Sequence, residues 1–181
     1  MRALQAIGMG LLIVLVRAGT PDLLPDPLGW LLILYGVRRL PPDLPLRTGV
    51  LVSGVLAGAI SVPLWVPPLA DRVLAADESL QWAVNLPQVA FVTLLATALG
   101  MRAGERGDPT ARGWWFLVAT LSALAGLAPV LVFGGRVDAL ETPAVVVAGA
   151  VLLTAIILCF VHAARPWANT GETPVGSRGG E

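Results

Sequence analysis

The chain has 181 residues, of which 56% are hydrophobic and 13% charged, and its mean hydropathy is +0.78. These values lie outside the range of ordinary water-soluble domains and read as an integral membrane protein, with the lipid bilayer as its first partner. Twelve basic residues, all arginine and spread along the chain, balance twelve acidic ones, which argues against a nucleic-acid partner.

The first apolar run, Ala3 to Val16, follows Arg2 as a signal peptide would. However, Arg17 stands where a cleavage site needs small neutral residues, and five more apolar segments follow, so the sequence predicts a retained first helix. Asp26 and Pro27 then mark a helix start. An Asp side chain accepts orphan N–H groups of a first turn, and proline at the first helical position has no N–H to leave unpaired. The helix from Pro27 to Leu40 spans roughly 21 Å, short of a hydrocarbon layer of roughly 30 Å. The segment before it is equally short. With the turn TPDLLPDP between them, residues 1–40 read as a short helical hairpin whose tip lies at or just below the membrane surface, holding Asp22 and Asp26 in a shallow recess.

After PPDLPLR, a third helix is predicted from Gly49 to about Ala70, carrying Ser53, Gly54, Ala57, Gly58 and Ser61 as a close-approach face. Pro63, Pro67 and Pro68 bend or end it. The polar link DRVLAADES leads to a fourth helix, Leu80 to Met101; RAGERGDPTAR leads to a fifth, Gly113 to Phe133; and GGRVDALET leads to a sixth, Pro143 to Ala164. Residues 166–181 read as a disordered cytoplasmic tail.

The expected fold is an all-α polytopic transmembrane bundle of about six helices in three hairpins. In that arrangement nine arginines fall on one side and three (Arg17, Arg72, Arg136) on the other, which places both termini in the cytoplasm. Trp30, Trp65 and Trp82 near the outer boundary and Trp114, Trp115 and Trp167 near the inner one fit the same sidedness. The all-arginine basic set, with abundant Ala, Gly, Val, Leu and Pro, points to a GC-rich bacterial genome and so to a bacterial plasma membrane. Residues 41–165 form the four-helix region. Within it 47–102 and 112–165 share an ordered set of matches, such as Leu56-Ala57-Gly58 with Leu124-Ala125-Gly126 and Arg72-Val73 with Arg136-Val137. Either a duplicated hairpin or chance matching in an apolar background accounts for them.

Candidate chemistry is sparse. Asp22 and Asp26 either bind a cation, relay a proton or contact a partner near the bilayer surface, or act structurally, Asp26 as a cap and Asp22 paired with Arg17 or facing water. Gln81, Asn85 and Gln88 share one face of the fourth helix, with Pro87 in the same turn. They serve interhelical hydrogen bonds or line an outward-facing polar pocket together with Asp22 and Asp26. Cys159 is alone, so no disulfide or cysteine metal site is expected. His162 is the only histidine, without ligand partners at metal spacing on its helix, and reads as interfacial. No cofactor is expected, and no GxSxG, Walker, HExxH or dinucleotide motif supports an enzyme.

The residues Leu24-Pro25-Asp26-Pro27-Leu28-Gly29-Trp30, continued by Leu31 to Leu34, Gly36 and Leu40, resemble the LPD-x-x-G-[YW] hairpin that opens a set of small bacterial multi-pass membrane proteins. The resemblance covers about forty residues. Pro27 departs from it, since a bulky apolar residue is usual there. It implies a membrane address and no particular activity. The leading functional expectation is a non-enzymatic accessory or scaffold component that associates with other membrane proteins or itself through the small-residue faces of the third and fifth helices. The alternative is a small transporter or channel-like protein with the outward-facing polar pocket.

Overall fold

The computed structural model describes residues 1–16, 26–75, 78–130 and 141–169. Among these residues the protein is entirely helical, with no strand: α1 (Ala3–Leu15), α2 (Asp26–Arg38), α3 (Arg47–Leu64), α4 (Pro67–Leu74), α5 (Glu78–Glu105), α6 (Pro109–Pro129), α7 (Glu141–His162) and a 3₁₀ turn, Pro166–Ala168. Three of them contain stretches long and apolar enough to cross a membrane: Arg47–Leu64, Trp82–Glu105 and Pro109–Pro129. These three fit a membrane protein. Both α1, at 13 residues, and the apolar part of α7, Val146–His162, are shorter.

Prolines set several boundaries. The expected single helix from Gly49 to Ala70 is two helices, because α3 ends at Leu64, a turn follows at Trp65 and Val66, and Pro67 and Pro68 open α4, where their missing N–H groups cost nothing. The expected start of α6 at Gly113 is displaced to Pro109, which Asp108 caps.

Neighbouring helices close into a ring. The helix α1 lies against α2 and α7, α2 against α3, α3 against α5, α5 against α6, and α6 against α7. The approach of α1 to α2 is backbone to backbone. A Cβ at Gly10 would stand 2.5 Å from the Gly29 carbonyl oxygen, and one at Gly36 would stand 2.7 Å from that of Ala3. Glycine is required at such crossings because any side chain would force the helices apart. Gly8 faces side chains of α7 instead, where an added Cβ would lie 3.1 Å from both Cys159 and Phe160.

The small residues of α3 are also spent inside the chain. A Cβ on Gly54 would press on Leu34 and Phe91, one on Gly58 would press on Trp30, and Ser53, Ala57 and Ser61 are buried. Trp30 is only 2% exposed and stacks edge-on against Phe91 at 5.3 Å, so it is a core residue and not the interfacial ring expected. Trp115 and Trp167 are likewise buried in the protein.

The antiparallel order brings the start of α1, the end of α2, the starts of α3 and α6 and the ends of α5 and α7 to one end of the bundle. Among the described residues, Arg2, Arg38, Arg39, Arg47, Arg102, Arg106, Arg112 and Arg165 gather there with Asp43, Glu105 and Asp108. Described residues toward the opposite end carry Asp26, Asp71, Glu78 and Glu141 with Arg72. The bundle is therefore electrically polar from end to end.

Candidate functional site

The described residues of the expected polar pocket lie toward the acidic end. Asp22 lies outside the described residues. Asp26, expected as the cap before a helix beginning at Pro27, is itself the first residue of α2 and is half-buried. Gln81, Asn85 and Gln88 lie on α5; Asn85 is exposed and Gln88 half-buried. Beside them Trp82 donates its indole N–H to the Gly126 carbonyl at 3.2 Å, tying α5 to the end of α6. Gly49, Ser53, Leu56, Leu86, Pro87 and Ala90 line an apolar groove of about 410 Å³ between α3 and α5.

The arginine-rich end is more elaborately built. At the end of α5, Gly107 adopts φ +74°, and the Asp108 and Gly107 amides donate back to Ala103 (2.9 Å) and Gly104 (3.1 Å). This is a Schellman close, in which a glycine takes the left-handed conformation that side chains resist. Asp108 follows at once as the N-cap of α6, accepting the Ala111 amide at 3.0 Å, and Pro109 begins the helix. Three residues, Arg106 to Asp108, thus reverse the chain.

The other oxygen of Asp108 accepts the indole N–H of Trp167 at 3.2 Å and lies 3.8 Å from Arg165 Nε. These contacts order the 3₁₀ turn at Pro166–Ala168, where a disordered tail was expected; residues 170–181 lie outside the described set. The docked Trp167 covers His162, whose ring sits 5.6 Å from Trp167 and 5.9 Å from Trp115. His162 is therefore buried between two indoles, not interfacial, and neither its Nδ1 nor the Trp115 Nε1 has a hydrogen-bond partner. The Ala111 amide, then the Trp167 indole and the Arg165 charge, hold the Asp108 carboxyl below its ordinary pKa range.

A second tie crosses the same end. Arg102, on the last turn of α5, is only 7% exposed and donates through two nitrogens to Asp43 in the α2–α3 link, at 2.7 and 3.1 Å. Glu105 stands 3.9 Å away. The paired guanidinium holds the Asp43 carboxyl below its usual range.

Beside the Asp108–Trp167 tie lies a recess of about 450 Å³ lined by Arg106, Gly107, Asp108, Arg165, Pro166 and Trp167. Two arginines against one already bonded carboxylate suit it to an anion, not to a cation or a proton relay. Asp108 was open to sequence reasoning, because Asp108-Pro109 repeats the Asp-Pro start signal used at Asp26-Pro27. Asp43 with Arg102, and Trp167 with His162, carry no local signal. Comparison of the chain with known protein families, with curated proteins and with solved structures finds no match.

Proposed function

We propose that this chain is a multi-pass helical protein of the bacterial plasma membrane, with both termini cytoplasmic, acting as a non-enzymatic accessory or scaffold component. The observation that carries this reading is the outward surface of the helices. Leu31 on α2, Val52 and Val55 on α3, Leu124 and Leu127 on α6, and Val146, Ile157 and Val161 on α7 are each more than half exposed. Such area in water would be an aggregation surface; in lipid it is the natural exterior. The arginine-rich end faces the cytoplasm in this reading, as positive residues flanking membrane helices do. The polar side chains there serve caps and ties between helix ends: Asp108 holds α6 and Trp167, and Arg102 holds the α2–α3 link. That use supports a scaffold more than a reaction centre. With the small-residue face of α3 occupied internally, association falls to the exposed branched side chains.

Reporter fusions within 41–46 and at Gly107 test the orientation, with cytoplasmic signals expected at both. Gentle purification followed by mass spectrometry tests the accessory role, the expected result being a stoichiometric membrane-protein companion or a self-assembled oligomer. A chain extracted from membranes by carbonate, or one that catalyses solute flux in proteoliposomes, would overturn this assignment.

A further inference from the structure

The recess at the arginine-rich end is placed at the depth where lipid headgroups lie. Of the apolar stretches flanking it, Trp82–Glu105 ends just before Arg106, Pro109–Pro129 begins just after Asp108, and Val146–His162 stops short of Arg165. A recess framed by three helix ends is at the junction of hydrocarbon and water. Its charge is also unbalanced. Arg106 and Arg165 are both exposed, while Asp108 turns one oxygen to the Ala111 amide and the other to the Trp167 indole. Arg165 shares that carboxylate at 3.8 Å, and among the described lining residues Arg106 has no acid of its own inside the recess, only the outlying charge of Asp43, which Arg102 already binds.

We propose that this recess binds the phosphodiester headgroup of an anionic phospholipid, with Arg106 and Arg165 holding the phosphate and Trp167 forming the wall. The inference rests on the membrane reading above. A guanidinium matches two unesterified phosphate oxygens with two parallel N–H donors, a fit an ammonium group lacks. Basic recesses between membrane helices on the cytoplasmic side have the charge and depth that anionic headgroups need. Beyond the recess, Trp114 and Leu117 on α6 and Ile157 and Val161 on α7 offer exposed apolar surface along which acyl chains can lie. A soluble phosphate would gain the arginine contacts and none of this surface, which is why a lipid is the occupant.

The test uses the full chain, purified in detergent and stripped of lipid, with its melting temperature followed as phosphatidylglycerol, phosphatidylcholine or inorganic phosphate is added. Phosphatidylglycerol is expected to raise the melting temperature at concentrations where phosphatidylcholine does not. The Arg106→Gln/Arg165→Gln double variant should bind it roughly thirtyfold more weakly, since two basic contacts to an anionic headgroup are lost. Arg106→Lys/Arg165→Lys should recover part of that loss, and Arg72→Gln at the opposite end should change nothing. An unchanged lipid-free melting temperature shows that the double variant is folded; if it is not, the single variants are titrated instead. Equal stabilisation by both lipids, or an unaltered response in the glutamine variants, overturns the proposal. So does inorganic phosphate matching phosphatidylglycerol, which would make this a soluble-anion site. Failure of the membrane reading shows separately, as a chain that stays monodisperse without detergent.

Discussion

Arg102 and Asp43, 59 residues apart in the chain, are joined by two hydrogen bonds of 2.7 and 3.1 Å. The pair is lopsided. The arginine side chain is 8% exposed and the aspartate 63%, so the partner that suffers from separation is the arginine. Asp43→Ala leaves a buried guanidinium with Glu105 as its remaining acid and should lower the detergent melting temperature by roughly 5 °C or more. Replacing both, as Arg102→Met/Asp43→Ala, removes the stranded charge and should recover at least half of that loss. A double-mutant cycle reads the coupling directly, and a double variant no better than the single would refute it.

Acid should weaken the same end of the molecule. Asp43 and Asp108 both have pKa values below the ordinary aspartate value in the folded chain, the first through Arg102 and the second through the Ala111 amide. A depressed folded pKa contributes stability that is complete above the unfolded value and is lost as pH falls through the folded one. The part of the melting temperature owed to these two carboxylates should therefore be complete at about pH 5 and be lost as pH falls below about 4. Asp43→Asn and Asp108→Asn should each start lower at pH 7 and show a shallower acid limb.

Asp108 carries two duties that an amide separates. The Asp108→Asn side chain would keep the oxygen that caps α6 but offer an N–H₂ where the Trp167 indole needs an acceptor. Hydrogen exchange should consequently speed up across 165–169 in Asp108→Asn while the first turn of α6 stays protected. Asp108→Ala should release both, at a cap cost of about 1 kcal/mol. Trp167→Phe should reproduce the first effect alone, and protection of 165–169 in that variant would deny the role given to the indole.

The glycines separate into required and dispensable positions. Gly10→Ala puts a methyl 2.5 Å from the Gly29 backbone oxygen, so overpacking of about 1–3 kcal/mol is expected, with a matching drop in melting temperature. Gly113→Ala meets nothing within 4 Å and lies inside α6, where alanine is favoured by about 1 kcal/mol or less. Opposite shifts from the two substitutions are the expected outcome. Similar shifts would mean that the α1–α2 crossing is looser than the geometry gives.

Helices are legible in this sequence because apolar runs and proline punctuation act locally. Asp26-Pro27 marks the start of α2 from two adjacent side chains, and Pro67-Pro68 marks a break, although the separate α4 that follows it is not evident from the prolines alone. The arginine-rich site is illegible for the opposite reason. Its contacts join residues from the α2–α3 link, the α5–α6 turn and the segment after α7, and nothing in the local composition at Asp43 announces Arg102. His162 illustrates the same limit, since a lone histidine at a helix end reads as interfacial until Trp167 folds back over it. Gly29 falls between these cases: its lack of a side chain suits close approach, but only the crossing shows that Gly10 is what it meets.

The contact of α1 with α7 has a consequence for biogenesis. During synthesis the first helix is threaded early, yet the groove that receives Gly8 is made of Cys159 and Phe160, which leave the ribosome after all the other helices. Until then one flank of α1 has only acyl chains or a chaperone-like insertase against it. A nascent chain arrested before α7 should be held in an open, protease-sensitive horseshoe.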